Sequence, residues 1–307
     1  MKSTMIYSLL MVFVSFFTML PFTHAKVVGA WLFDDGWRTI NQRASGFVED
    51  ATGNGHDGEI AGTPRWRVGK FGSTLEFAPD ADDPEAASWS YVKVPYHADL
   101  DLTQFTFTAW IKVPKTLDPL QMIINREFNF DLRNYALWIR TANDGEWPLQ
   151  GGGGRAGDFA CAWGTAFPAV KHFGVEKTQN VTNNQWHFVA CSFDGVMMTA
   201  YVDGKKRGTE ENKLEQGIRP KPNKPKEAPL LIGARALHDW VGSTRPFIKG
   251  IDGVGGLVDD VGLFDTGLSA EEIQGIMELG LAKKYDEIRA VNPRGKLATT
   301  WAELKAQ

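Results

Sequence analysis

The sequence predicts an all-β protein, an antiparallel β-sandwich of two stacked sheets with a short helical extension at its C-terminal end. Three observations carry this. Glycine and tryptophan are abundant, 32 and 11 of 307 residues, and turn-forming Gly, Asn-Gly and Asp-Gly positions are frequent. Strand-length runs with period-two alternation recur about every ten residues, with turn signals between them. Helical periodicity with a defined start occurs only near residue 270.

The elements follow in order. Val27-Val28-Gly29-Ala30-Trp31-Leu32-Phe33 is a continuous apolar run of buried-strand type. Short strands at 66–68 and 73–77 flank the turn Gly69-Lys70-Phe71-Gly72. Tyr91-Val92-Lys93-Val94 alternates and stops at Pro95. In Phe105-Thr106-Phe107-Thr108-Ala109-Trp110-Ile111 the large aromatics fall at i and i+2 while the threonines point the other way, the clearest strand in the chain. Residues 186–193 and 196–202 are separated by Asp194-Gly195 and followed by Asp203-Gly204, which predicts a three-strand meander ending near Thr209. Leu230-Leu231-Ile232-Gly233 and residues 256–264 supply later strands. Ser269-Ala270-Glu271-Glu272 has the spacing of a capping box, and Ile273, Ile276 and Met277 continue one apolar helical face.

Residues 1–25 read as a secretory signal: Lys2, an apolar run over 5–20, then Thr23-His24-Ala25 before a mature start at Lys26. A retained membrane anchor is the rival reading, against which stand the shortness of the run and Pro21. The expected organisation is signal 1–25, one sandwich 26–282 and a polar extension 283–307 in which Trp301 and Leu304 dock a short helix. Export gives a secreted, periplasmic or cell-surface protein with no membrane span in the mature chain. The net charge of −4 comes from interspersed charges with no basic stripe, which argues against nucleic acid as a partner. The prolines within 219–226 make that basic stretch an extended solvated loop. In an oxidising compartment Cys161 and Cys191 are a candidate disulfide, the alternative being two separate buried thiols.

Several segments together resemble the laminin-G-like family of the concanavalin A-like lectin/glucanase superfamily. They are Gly29-Ala30-Trp31-Leu32-Phe33-Asp34, the turn Asp50-Ala51-Thr52-Gly53-Asn54-Gly55-His56-Asp57-Gly58, the strand Phe105 onward, Gln185-Trp186-His187-Phe188-Val189-Ala190, Tyr201-Val202-Asp203-Gly204, and Gly256-Leu257-Val258-Asp259-Asp260-Val261-Gly262-Leu263-Phe264 with the helix start behind it. The resemblance implies a jelly roll, and one that carries lectins, adhesion domains and glycosidases alike.

Glycosidases of this type carry a Glu-x-Asp-x-Glu strand motif whose carboxylates share one face. That spacing is absent, and the acidic residues of 80–85 sit beside proline. No His-Glu-x-x-His helix, metal-spaced cysteine pair or Gly-x-Ser-x-Gly elbow is present. Gly152-x-Gly154-x-x-Gly157 matches a dinucleotide fingerprint by letters only, with no βαβ context. His187 alternates with Val189 and reads as structural.

The expectation is therefore an exported, non-catalytic module that binds carbohydrate, matrix or envelope glycans. A glycosidase or lyase and a protein–protein interaction domain are the alternatives. Tryptophans placed in loops, Trp37, Trp89, Trp147, Trp163 and Trp240, are the candidate sugar platforms; plugs that seal loops onto the sandwich are the bland alternative. The resemblance also implies a structural calcium, with Asp34, Asp50, Asp57, Asp259 and Asp260 as candidate donors. Asp50 has a turn-capping alternative, and Asp259 and Asp260 that of buried carboxylates satisfied by amides. Strand alternation sends Asp259 and Asp260 to opposite faces, so that one of them serves inward.

Overall fold

In a computed structural model, residues 25–36, 38–82, 88–115, 120–127, 133–140, 155–164, 172–212, 228–237 and 249–284 are described. The signal segment, the residues after 284, and the glycines at 151–154 lie outside them. The strands in chain order are β1 (Val27–Trp31), β2 (Phe47–Val48), β3 (Gly58–Ala61), β4 (Arg65–Val68), β5 (Ser73–Phe77), β6 (Tyr91–Val94), β7 (Phe105–Lys112), β8 (Gln121–Glu127) and β9 (Arg133–Ile139). They continue with β10 (Phe159–Gly164), β11 (His172–Val175), β12 (Trp186–Phe193), β13 (Met197–Val202), β14 (Lys205–Glu211), β15 (Leu230–Ile232), β16 (Arg235–Leu237), β17 (Lys249–Ile251) and β18 (Gly256–Phe264), and helix α1 spans Ala270–Leu279. One eight-stranded sheet runs β14-β13-β12-β7-β18-β5-β4 with β1 also on β18; the other runs β11-β10-β9-β8-β15-β6-β3-β2. All pairings in both are antiparallel. The sandwich expected from the sequence is the observed architecture.

The core between the sheets is aromatic. Phe105 stacks on Trp163 at 5.2 Å and 10°, with Tyr135, Phe107 and Phe193 around them. Trp163 is therefore a strand residue of β10, fully buried, and its expected place in a loop is corrected. The turn chemistry follows the sequence at Asp203-Gly204, where both residues have positive φ, as a two-residue hairpin requires. At Asp194 the carboxylate instead accepts from the N–H groups of Val196 and Met197. The capping box of α1 forms as its spacing predicts: Ser269 Oγ accepts from Glu272 N–H at 3.2 Å and Glu272 Oε2 from Ser269 N–H at 2.8 Å. Ile273 and Ile276 then pack on Trp110, Phe188 and Tyr201, sealing the outer face of the first sheet.

Strand β18 changes partner midway. Gly256, Leu257 and Val258 pair with β5, whereas Val261 through Phe264 pair with β1 on the same edge. The change occurs at a bulge: Asp259 lies opposite Trp110 and Gly262 opposite Thr108, so Asp260 and Val261 together face Ala109. Asp260 takes the left-handed conformation, φ 51°, as a bulge residue can. The extra residue abolishes the alternation on which opposite faces were expected, and both carboxylates are buried, at 0% and 3% exposure. Each satisfies backbone amides that lie outside the strand ladders. Asp259 Oδ2 accepts from Lys70 and Phe71, Asp260 Oδ2 from Leu281, and Asp34 Oδ1 from Ser73.

Burial pushes the Asp259 carboxyl up to about 8 and that of Asp260 up to about 7, with neighbouring carboxylates adding to both. The folded chain then holds more protons than the unfolded chain above the ordinary carboxylate pKa of 3.8. Stability from this pair is fullest below that value and is lost as pH rises through the folded values. Thermal melting from pH 4 to pH 8 is expected to show a decline that is shallower in Asp259→Asn; equal slopes in the two proteins would contradict the assignment. A urea titration of Trp163→Ala is expected to show a loss of about 3–5 kcal/mol, and a smaller loss for Trp89→Ala, whose indole is half-buried.

Candidate functional site

Of the five candidate platforms, Trp37, Trp147 and Trp240 lie outside the described residues, and Trp163 belongs to the core. Among the described candidates, Trp89 meets a cavity. A cleft of about 290 Å³ opens at the ends of β5, β18 and β7, lined by Trp89 and by Glu76, Lys112, Lys115, Asn184 and Leu257 among others. The volume is at the lower end of small-ligand sites, which run from about 300 to 1,000 Å³.

Strand register supplies the floor. Leu257 lies opposite Glu76 on one side and Lys112 on the other, and each of the three is half-buried. Close backbone approach places the platform. An added Cβ at Gly253 would sit 2.6 Å from the Trp89 ring, so the indole lies flat on a residue without a side chain, while Trp89 N–H donates to the Gly250 carbonyl at 3.0 Å. The walls are tied by fully buried Gln121, whose amide donates to the Lys115 carbonyl and accepts from Gly255 N–H, both at 3.2 Å. Asn184 N–H donates to the Val113 carbonyl at 2.9 Å, fixing the last wall. The cleft is thus built on paired strands and clamped loops, which lowers the ordering cost of binding.

Its charge is uneven. Glu76 is held by Arg67 through contacts of 2.6 and 2.7 Å. Among the described residues neither Lys112 nor Lys115 enters an ion pair. An aromatic face beside two cations suits a ring with an apolar side and an anionic substituent. Of these lining groups the sequence reading found Trp89 alone. Glu76, Lys112 and Gln121 carry no local signal in the sequence that marks them as lining a site.

The aspartates divide into two places. Asp34, Asp259 and Asp260 meet at the β18 fork; Asp50 and Asp57 lie at the Gly53-Asn54-Gly55 turn. Asp50 accepts from Ala30, Thr52 and His56 N–H groups, and Asp57 from Asp50 N–H. No three of the five bring one oxygen each within 4.8 Å of one another. Asp259 Oδ1 is buried without a hydrogen-bond partner, but the other acceptors named are committed to amides. As arranged, the five fit amide capping rather than calcium, which takes six to eight converging oxygens. His187 is held at both ring nitrogens, by Asp203 at 2.9 Å and Asn183 at 3.0 Å, as a structural histidine is. Cys161 and Cys191 are both free and fully buried, one on each sheet and in contact. Burial first, and the Cys161 thiol second, raise Cys191 far above the usual thiol range.

No curated protein sequence matches this chain. Among solved structures, it is similar to domain 4 of AbnA, a GH43 extracellular arabinanase from Geobacillus stearothermophilus solved with arabinotriose, at 17% identity and a TM-score of 0.51, over 83% of this chain and 99% of that one. It is also similar to the binding domain of Paraclostridial Mosquitocidal Protein 1, at 12% identity and a TM-score of 0.50, over 77% of this chain and 52% of that one. The receptor binding domain of botulinum neurotoxin mosaic serotype C/D gives 15% and 0.50, over 83% and 51%. The chain thus spans about half of these two toxin domains. At such identities the likeness is one of fold. The family match is direct, covering residues 86–274 with Laminin_G_3, and with the two-sheet topology it places the chain in the concanavalin A-like lectin/glucanases superfamily.

Proposed function

We propose that this protein is an exported glycan-binding module without catalysis, and that the Trp89 cleft holds a short glycan segment bearing a carboxylate. The observation that carries the reading is the Trp89 platform, laid on Gly253, beside Lys112 and Lys115. Hydrolysis with paired carboxylates needs two acidic groups about 5–9.5 Å apart. Glu76 is the one carboxylate in the lining, and Arg67 already neutralises it. The neighbour solved with arabinotriose makes arabino-oligosaccharide a natural second probe. Calcium has no part in this binding mode, because the aspartates considered for it lie outside the cleft lining.

Affinity electrophoresis on polygalacturonate, arabinan and a neutral glucan tests the proposal. Retardation by the uronate polymer is expected, weakening with salt because exposed charges are screened. Trp89→Ala should weaken it by about tenfold, the scale of one lost aromatic contact, and Lys112→Ala should reduce its salt dependence, with Lys115 left to carry the rest. Equal retardation of wild type and Trp89→Ala would refute the site. Release of reducing ends by the wild type would replace the binding reading with an enzymatic one.

Export also bears on the cysteines. The proposal includes oxidation of Cys161 and Cys191 to a bridge between the sheets by a thiol–disulfide oxidant of the compartment, two thiols giving one disulfide with both electrons passing to that oxidant. Unreduced mass spectrometry of exported protein should show a loss of about 2 Da relative to the reduced chain. Two alkylatable thiols would count against the bridge and leave the cleft untouched.

A further inference from the structure

We propose that His56, His97 and Asp99 form a binding site for one divalent transition-metal ion of the zinc type. Among the described residues, these three side chains offer one donor atom each, all within 4.8 Å of one another. The set shares no residue with the Trp89 cleft.

His56 carries the argument. It is 1% exposed, and neither ring nitrogen has a hydrogen-bond partner. Buried polar groups in folded proteins are nearly always satisfied, and a buried side chain with both its polar atoms unpartnered calls for an explanation such as an absent water or ion. The ring points at two partners. Its Nε2 lies 4.0 Å from Asp99 Oδ2, and its centroid lies 4.8 Å from that of His97. His97 Nδ1 lies 3.7 Å from Asp99 Oδ1. These gaps exceed hydrogen-bond length. The two nitrogen–oxygen gaps, 4.0 and 3.7 Å, are somewhat wider than the separation of two ligands on one tetrahedral ion, about 3.4 Å for bonds of about 2.1 Å, so the exposed His97 and Asp99 side chains close in on a bound ion.

Both halves of the set are anchored. The His56 backbone is fixed by its N–H to Asp50 Oδ2 at 3.2 Å and by Trp31 Nε1 donating to its carbonyl at 2.8 Å. His97 and Asp99 belong to the 3-10 turn Ala98–Leu100 and its N-cap. That turn is held by buried Arg126, which donates to the Leu100 carbonyl and to Asp101 Oδ1, both at 2.8 Å. Two groups compete with an ion: Lys26 Nζ lies 3.5 Å from Asp99 Oδ2, and Asp99 N–H donates to His97 Nδ1 at 3.3 Å. Both contacts are long, and Lys26 is half exposed, so an ion displaces weak partners. Two imidazoles and one carboxylate select zinc, copper or nickel over calcium or magnesium. Three protein ligands on a partly open surface leave a fourth position for water.

Calorimetric titration of the full chain, after chelator dialysis, with zinc chloride and separately with calcium chloride tests this. One zinc per chain is expected, with a zinc-dependent rise in melting temperature that calcium does not produce. His97→Ala and Asp99→Asn, at exposed positions, should each weaken zinc binding at least about tenfold. His56→Phe should abolish it. Should that buried variant fail to fold, the two exposed variants decide alone. Zinc binding no tighter than calcium, or unchanged in His97→Ala and Asp99→Asn, would overturn the site.

Discussion

The bulge at Asp259 and Asp260 is the constraint on which the rest of this architecture depends. One extra residue in β18 lets a single strand serve β5 with its first half and β1 with its second, while β7 runs along its other edge. The backbone amides of Lys70 and Phe71 in the β4–β5 turn and of Leu281 after helix α1 lie outside the strand ladders beside this fork. Asp259 and Asp260 supply acceptors for them. Burying two acids to satisfy amides costs desolvation, and their raised pKa values are the signature of that cost.

The fork also builds the cleft. The first half of β18, from Gly256 to Val258, is pressed between β5 and β7, and that pairing puts Glu76, Leu257 and Lys112 in one row. The row is enclosed by the Trp89 indole over Gly253, the Gln121 side-chain amide between two loops, and the Asn184 N–H on Val113. A cavity made this way is formed before a ligand arrives. It is separate in its residues from the His56 cluster, so metal and glycan are independent questions.

Much of the architecture was legible because it obeys local rules. The aromatics of Phe105 and Phe107 repeat every second residue and do face the core. Ser269 and Glu272 have capping-box spacing and do form the box. Strands β8 to β11 went unread: Gln121 to Glu127 mixes buried polar and apolar residues, because Gln121, Asn125 and Arg126 are buried there and blur the alternation. Trp163 was placed in a loop because Gly164 and Pro168 follow it closely in the sequence. The site was less legible still. Trp89 drew notice as an aromatic near proline, but Glu76, Lys112 and Gln121 are brought to it only by pairings between strands far apart in sequence. His56 was noticed as part of a turn motif and not as a ligand, since its partners lie some forty residues away at His97 and Asp99.

The central claim is that the Trp89 indole is the surface a glycan lies on. The indole region of a nitrogen–proton correlation spectrum, recorded while an oligogalacturonate is titrated in, tests this most directly. The account predicts that the Trp89 Nε1 resonance shifts along the titration and saturates, while that of core Trp163 stays in place. Saturable binding that leaves the Trp89 resonance unmoved would contradict it.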